Sequence, residues 1–399
     1  MLGSETERKF HFISIIALLV NLLSCGEGQS EKFTVGIVHV AGSYGFTNNN
    51  FLVEGAQTIN HMGSDAIIIW MTPSFKENYP DRLANLWPTI QPTSLVQLAQ
   101  TGPYDQVFHM PFKTIVITAY TFANTGTDWS QDGWNYIAGM AQSPARQSAE
   151  QTEFYELTKY LYSRFSGSGK TFILKNWESD WTATYSDPEH GNIPENVAAD
   201  MIAWLKARQA GVTQARQEAN DPTMRVLNGV EVNRVLDYAQ NGITRVIDTI
   251  VPEVNADMVT YSSYDSTDTG QDAASMEQSF NLALQTIEKL SPDPLGMGNR
   301  RILISEYGLF ENSLIGGTTW RAPAILTTAS RAGIYGAFLW ELYDNQCTQP
   351  DGQPAEVDTP PMSPARPANS HCPGLWVIRP DGTTSPVLTV LKQYWHFEK

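Results

Sequence analysis

Short runs of nearly continuous apolar residues, rich in Val and Ile, alternate along the chain with longer segments of helical period. The runs are Phe33–Val40, Ala66–Met71, Thr114–Tyr120, Thr171–Trp177, Arg225–Glu231, Met258–Tyr264, Arg301–Glu306 and Ile334–Glu341. Most lack the strict apolar–polar alternation of a half-solvated strand, as expected of strands covered on both faces in a parallel sheet. The helical segments are Leu52–His61, Ser94–Thr101, Gln147–Phe165, Pro194–Ala219, Arg234–Ile250, Ala273–Leu290, Thr319–Ala332 and Pro386–Trp395. In Gln147–Phe165 the residues Phe154, Leu157, Leu161 and Phe165 share one face, and Gly167-Ser168-Gly169 stops that helix before the next strand. Pro194 suits a first helical turn. Eight strand–helix pairs predict an α/β chain closed into a (β/α)₈ TIM barrel with long βα loops. The rival is a doubly wound open sheet, but no Gly-x-Gly-x-x-Gly follows any run and no Walker-type loop occurs, so nucleotide folds lose support. The Pro-rich stretch Pro350–Pro367 reads as a long excursion after the eighth strand.

The N-terminus adds a separate expectation. Arg8 and Lys9 precede an apolar run, Phe12–Leu23, of signal-sequence length and too short to span a bilayer. It ends Leu22-Leu23-Ser24-Cys25-Gly26, which resembles the bacterial lipoprotein signal in which Cys25 becomes the lipidated first residue; the alternative is an ordinary cleaved signal with a chance cysteine. The expected organisation is a signal at 1–24, a polar tether at 25–32 and one barrel over 33–399. The product would be exported: periplasmic, secreted, or a lipoprotein of the outer membrane or cell surface, in contact with membrane through the anchor alone. That leaves Cys347 and Cys372, which outside the cytoplasm favour a disulfide over two unpaired thiols.

Composition narrows the function. Apolar residues at 42% and charged residues at 17% exclude a disordered chain. The 42 Asp and Glu against 26 Lys and Arg give −16, which disfavours a nucleic-acid partner. Three cysteines exclude a multi-cysteine zinc module, and the seven histidines show no His-x-His or His-x-x-x-His spacing, so neither metal nor cofactor is expected. No Gly-x-Ser-x-Gly elbow is present. The 11 Trp and 16 Tyr are a high aromatic load, and sugar-binding clefts are one common reason for it.

In a (β/α)₈ barrel the chemistry lies at the C-terminal ends of the strands. The fourth run ends Asn176-Trp177-Glu178-Ser179-Asp180-Trp181 and the seventh Ser305-Glu306-Tyr307-Gly308. The other strand ends supply His39, Trp70, Tyr120, Glu231 with Asn233, Tyr264 with Asp265, and Trp340 with Glu341. Strands four and seven stand on roughly opposite sides of an eight-stranded ring, so Glu178 and Glu306 can flank a bond held over the mouth. Two carboxyl groups in different environments, one protonated and one ionised, are what glycoside hydrolysis requires.

At these residues the chain resembles the clan A glycoside hydrolases, retaining (β/α)₈ glycosidases. Ile304-Ser305-Glu306-Tyr307-Gly308 is similar to the strand-seven pattern of family 5-like members, and Ala337-Phe338-Leu339-Trp340 to the strand-eight end whose Trp floors a sugar subsite. Trp376-Val377-Ile378-Arg379-Pro380-Asp381-Gly382 resembles the closing turn before the last helix. The resemblance implies Glu178 as acid/base, Glu306 as nucleophile and Tyr264 as the nucleophile's hydrogen-bond partner. There are departures. Trp177 separates Asn176 from Glu178 where the clan has an adjacent pair, Ser262 replaces the His of His-x-Tyr, and the usual strand-two Arg has no counterpart.

Several assignments stay open on the sequence. Asp180 or Glu231 could serve as the acid in place of Glu178. Glu231 could equally be a substrate ligand or an acceptor behind the site, and Tyr264 a cavity wall. Trp340 could be core packing. Trp177 and Trp181 could line subsites or lower the polarity around the acid. Trp129, Trp134 and Tyr136, in the loop Thr121–Ser148, could face sugar or form the loop's own small core. The expected function is a retaining glycoside hydrolase acting on β-linked poly- or oligosaccharide; the alternative is a surface lipoprotein that captures glycan without cleaving it.

Overall fold

β-Branched runs pair side by side because their side chains pack on a pleated surface, and here they pair all the way round. The computed structural model describes residues 32–80, 86–124, 136–184, 191–313, 317–355 and 366–395. Eight parallel strands form a closed barrel in chain order: β1 Thr34–Val38, β2 Ala66–Met71, β3 Thr114–Ala119, β4 Thr171–Lys175, β5 Arg225–Val232, β6 Met258–Ser262, β7 Ile302–Gly308 and β8 Gly336–Trp340. The ring shuts where Thr34–Ile37 pair in register with Gly336–Leu339. β2, β3, β6, β7 and β8 are buried along their whole length, which is why they carry no alternation. Phe33–Lys399 form one compact unit.

Two irregularities in the barrel matter for the site. The register of β7 shifts against β6 next to Ser262, and against β8 between Ile304 and Tyr307. Such a shift re-aims side chains that strict alternation would send to opposite faces. At Ser305-Glu306 it lets two consecutive residues serve the site, Glu306 at the cavity and Ser305 at the buried Glu231 behind it. β4 stops at Lys175, and Glu178 takes a left-handed backbone conformation (φ 53°, ψ 46°) at the start of the short helix Ser179–Ala183.

The helices depart from the sequence expectation in detail. The segment Arg234–Ile250 is not one helix: Gly242 ends Val235–Asn241 in a left-handed cap, and two single turns, Val246–Thr249 and Val251–Val254, follow. Leu95–Ala99 is succeeded by a further helix, Gly102–His109, and Pro194 caps Glu195–Ala219 from outside it. Tyr264 is not the last residue of strand six but the first of a short helix, Tyr264–Thr267. The two longest helices, Pro144–Phe165 and Glu195–Ala219, pack against each other.

After β8 the chain makes small hairpin-like turns, closed by the bridges Thr348–Pro354 and Ile378–Thr384, before the last helix, Val387–Lys392. Cys347 and Cys372 are joined by a disulfide. Among the described residues no helix is long and apolar enough to cross a membrane. Cys25, the leader and the tether up to residue 31 lie outside the described residues, as do Trp129, Trp134 and most of the Pro-rich excursion.

Candidate active site at the barrel mouth

The strand ends enclose a cavity of about 610 Å³ whose walls include Trp177, Glu178, Trp181, Tyr264, Glu306 and Trp340. Asp265, Asp268, Arg234, Phe310, Asn345 and Gln346 complete much of the rim. The volume is that of an ordinary small-ligand site, and apolar and aromatic walls with a few convergent polar groups are its usual make-up.

Glu306 is only 3% exposed. The Trp177 indole N–H donates to its Oε1 at 3.0 Å, the Tyr264 hydroxyl donates to its Oε2 at 3.5 Å, and the Lys175 Nζ lies 3.9 Å from Oε1. Burial, and then the nearby Glu231 carboxylate, push its carboxyl up to about 8, against the opposing pull of Lys175, Trp177 and Tyr264. Glu178, half-buried across the cavity, is raised well above the usual carboxylate range by desolvation first, then by Glu306 and Glu231. The two carboxyls therefore titrate as a pair. Glu306 has three groups that favour its ionised form. Glu178 has carboxyls for most of its charged neighbours, so Glu306 gives up its proton before Glu178 does.

Glu231 sits behind this pair, wholly buried, and its carboxylate is fully occupied. It accepts from the Lys175 ammonium, from Ser305 Oγ at 3.0 Å, from the Glu178 backbone N–H at 2.8 Å and more distantly from Asn233 Nδ2 at 3.4 Å. The bond to the Glu178 N–H holds the residue in its left-handed conformation, which for a non-glycine costs of order 1 kcal/mol. Asp180 is equally committed. Its oxygens accept the backbone N–H groups of Asn233 at 2.7 Å, Arg234 at 3.1 Å and Val246 at 2.8 Å, so it clamps the loop after β5 to the turn after β4. Neither Glu231 nor Asp180 faces the cavity as a free acid.

Other expected ligands are placed elsewhere. Asn176 is buried, donates its amide to Ser179 Oγ and accepts the Glu231 N–H, so no free polar end remains for a sugar hydroxyl. This follows from β4 ending at Lys175: strict alternation no longer relates Asn176 to Glu178. Tyr120 exchanges bonds with the Trp177 backbone and packs beside Trp204 and Tyr136. Trp70 is buried with its ring 4.9 Å from that of Trp177. Both stand behind Trp177 and brace it. Tyr136 is buried, and its hydroxyl bonds Thr121 and Glu150, so this loop aromatic belongs to a small core.

His39 is a core residue. It lies among Phe51, Tyr79 and Tyr343, donates Nε2–H to the Phe51 carbonyl at 2.8 Å, and burial lowers it to about 4. A Cβ on Gly55 would come within 2.2 Å of its ring, so the glycine is required by that close approach. Glu341 is also fully buried, and its carboxyl is raised well above the ordinary range by desolvation.

Sequence reasoning missed Lys175. A lone lysine closing the apolar run Thr171–Leu174 was the available signal, because a charge inside a buried strand must find a partner. It also missed Asn345 and Gln346, brought to the cavity by the loop after β8. Asp344 fixes that loop, accepting the N–H groups of Gln346, Gly374 and Leu375 at 2.7–2.8 Å. Asp344, Cys347 and Cys372 bring ligand-type atoms together, but both sulfurs are bonded to each other, which leaves no metal-binding set there.

No family model matches the sequence, and no curated protein matches it. Solved structures do match its fold. The exo-β-1,4-mannosidase Op5Man5 from Opitutaceae bacterium strain TAV5 superposes with a TM-score of 0.55 at 12% identity, over 91% of this chain and 59% of that one. A Bacteroidetes-affiliated GH5 cellulase linked with a polysaccharide utilization locus superposes with a TM-score of 0.50 at 12% identity, over 93% of each chain. The present chain thus spans about three-fifths of the mannosidase's length and nearly all of the cellulase's. It has the (β/α)₈ fold that these glycoside hydrolases share.

Proposed function

We propose that the protein is a retaining glycoside hydrolase that cleaves β-glycosidic bonds of a poly- or oligosaccharide by double displacement. The observation that carries this reading is the pair Glu178–Glu306, two carboxyls that face one cavity at the C-terminal mouth and are both raised, Glu178 the further. Glu306 attacks the anomeric carbon as the carboxylate. Glu178 gives its proton to the leaving oxygen, and a glycosyl ester on Glu306 results. Glu178, now ionised, removes a proton from water; the water oxygen displaces Glu306 from the anomeric carbon, and both carboxyls return to their starting state. Trp177 and Tyr264 hold Glu306 in line, and the rings of Trp181 and Trp340 offer flat apolar faces to sugar CH groups.

The test is a panel of β-glycans and aryl β-glycosides, with product stereochemistry followed by proton NMR. Retention with turnover supports the reading, and inversion overturns the double displacement. Glu306→Gln should lose about four orders of magnitude in kcat or more while still binding sugar. Sugar binding without turnover in the unaltered protein would favour glycan capture instead. The proposal extends to export and lipid anchoring through Cys25, supported by the charged and apolar pattern of Arg8–Gly26; incorporation of labelled palmitate, lost in Cys25→Ser, tests it.

A further inference from the structure

Taking the glycosidase reading as its basis, the geometry points to Lys175 as a positioning residue for Glu306: its buried ammonium is tethered by Glu231 and set 3.9 Å from Glu306 Oε1, beneath the cavity floor. The side chain is 1% exposed, so solvent screens the charge little. Glu231 lies behind Glu178 and Glu306, and Lys175 is a cation whose charge acts on both of them. An unpaired ammonium in that position would be costly, and the pairing with Glu231 offsets the cost of burial. The same Glu231 carboxylate receives the Glu178 N–H, so one dyad sets the charge beside one reacting carboxyl and the backbone of the other. Lys175 lies behind the cavity walls, so its effect on substrate runs through Glu306.

The groups that face Glu306 are Lys175 from β4, Glu178 and Trp177 from the turn after it, Glu231 from β5, Tyr264 from the segment after β6, and Glu341 at the end of β8. Removing Lys175 alone would leave Glu231 buried without its cation and could unfold the chain. The informative comparison is therefore Glu231→Gln, in which Lys175 keeps Glu306 at 3.9 Å as an anion, against the double variant Lys175→Met/Glu231→Gln, in which the pair is deleted in balance, with urea denaturation showing that each is folded.

The experiment is a pH titration of Glu306 by carbon NMR in full-length protein labelled at glutamate Cδ, with the resonance assigned by Glu306→Gln. The acidic limb of kcat/KM is recorded on the same proteins. The midpoint for Glu306 should stand about one pH unit or more higher in the double variant than in Glu231→Gln, the size of effect an opposite charge at this range imposes. The acidic limb should move with it. Coincident midpoints in two folded variants would overturn the inference and reduce Lys175 to a structural ion pair. A moved midpoint in a protein that turns over no glycan would retain the electrostatic role of Lys175 and sink the hydrolase reading. Turnover with an unmoved midpoint would do the reverse.

Discussion

Glu178 and Glu306 differ less in residue type than in surroundings. Glu306 has an indole N–H, a phenol and an ammonium within reach, whereas Glu178 has mainly other carboxyls. The free-enzyme pH profile of kcat/KM should accordingly be bell-shaped. Its acidic limb, drawn up toward about 8, reports ionisation of Glu306, and its alkaline limb reports loss of the Glu178 proton. Lowering the pH through the acidic limb protonates Glu306, the proposed nucleophile, so activity should fall in that direction. Glu178→Gln should reduce kcat by about 10²–10⁴ on glycan, the usual size of general acid–base catalysis. The loss of the first step should be much smaller on aryl glycosides whose phenol leaves without a proton, and initial-burst kinetics on the two substrate types measure the difference.

At the scale of the element, short turns rather than the long helices position the site. The turn Asn176–Glu178, the helix Ser179–Ala183 and the loop after β5 are locked together by Asp180, whose carboxylate takes three backbone N–H donors. Asp180→Ala would leave those donors without their acceptor, and should destabilise the protein by about 3 kcal/mol, read by urea denaturation. Gly308 shows the same economy of space: a Cβ there would lie 2.8 Å from the Tyr264 ring and 3.0 Å from Leu375. That close approach seats Tyr264 within reach of Glu306. The β7 register shift is the element-scale reason that Ser305 can bond Glu231 while its neighbour Glu306 faces the cavity.

Over the whole molecule, the loop after β8 closes one side of the mouth and is tied down at several points. The disulfide Cys347–Cys372 and the three N–H bonds to Asp344 hold the segment that carries Asn345, Gln346 and Leu375. Cys347→Ser/Cys372→Ser should lower stability by about 3 kcal/mol, through loss of loop closure in the unfolded chain. It should also raise KM more than it lowers kcat, because it loosens cavity walls and leaves Glu178 and Glu306 in place. The buried carboxyls set a second global property. Glu306 and Asp265, at about 8 and about 7, hold protons in the fold that the unfolded chain releases near the ordinary carboxylate range. The folded state thus binds more protons, and stability falls as pH rises through that window. His39 acts oppositely: lowered to about 4 from 6.5, it costs stability only as pH falls below 6.5. Between pH 6.5 and 8 these carboxyls release their protons on unfolding while His39 adds nothing, so Tm should decline there. Glu306→Gln should flatten part of that decline in calorimetric scans.

The chain's own pattern determined the eight strands, their parallel closure and the two acidic strand ends. Each of these follows from local periodicity and from the rule that barrel chemistry gathers at one rim. Tertiary structure decided which acids remain free. Glu178, Asp180 and Glu231 are alike as residues in a string, but Asp180 and Glu231 are consumed by backbone N–H groups and by Lys175, partners from strands and loops distant in sequence. His39, Trp70, Tyr120 and Asn176 likewise end strands as ligands should, yet packing turns them into the body of the protein. A strand end fixes where a side chain starts. The neighbours that fill its hydrogen bonds, and the small register shifts that aim it, come from the closed ring.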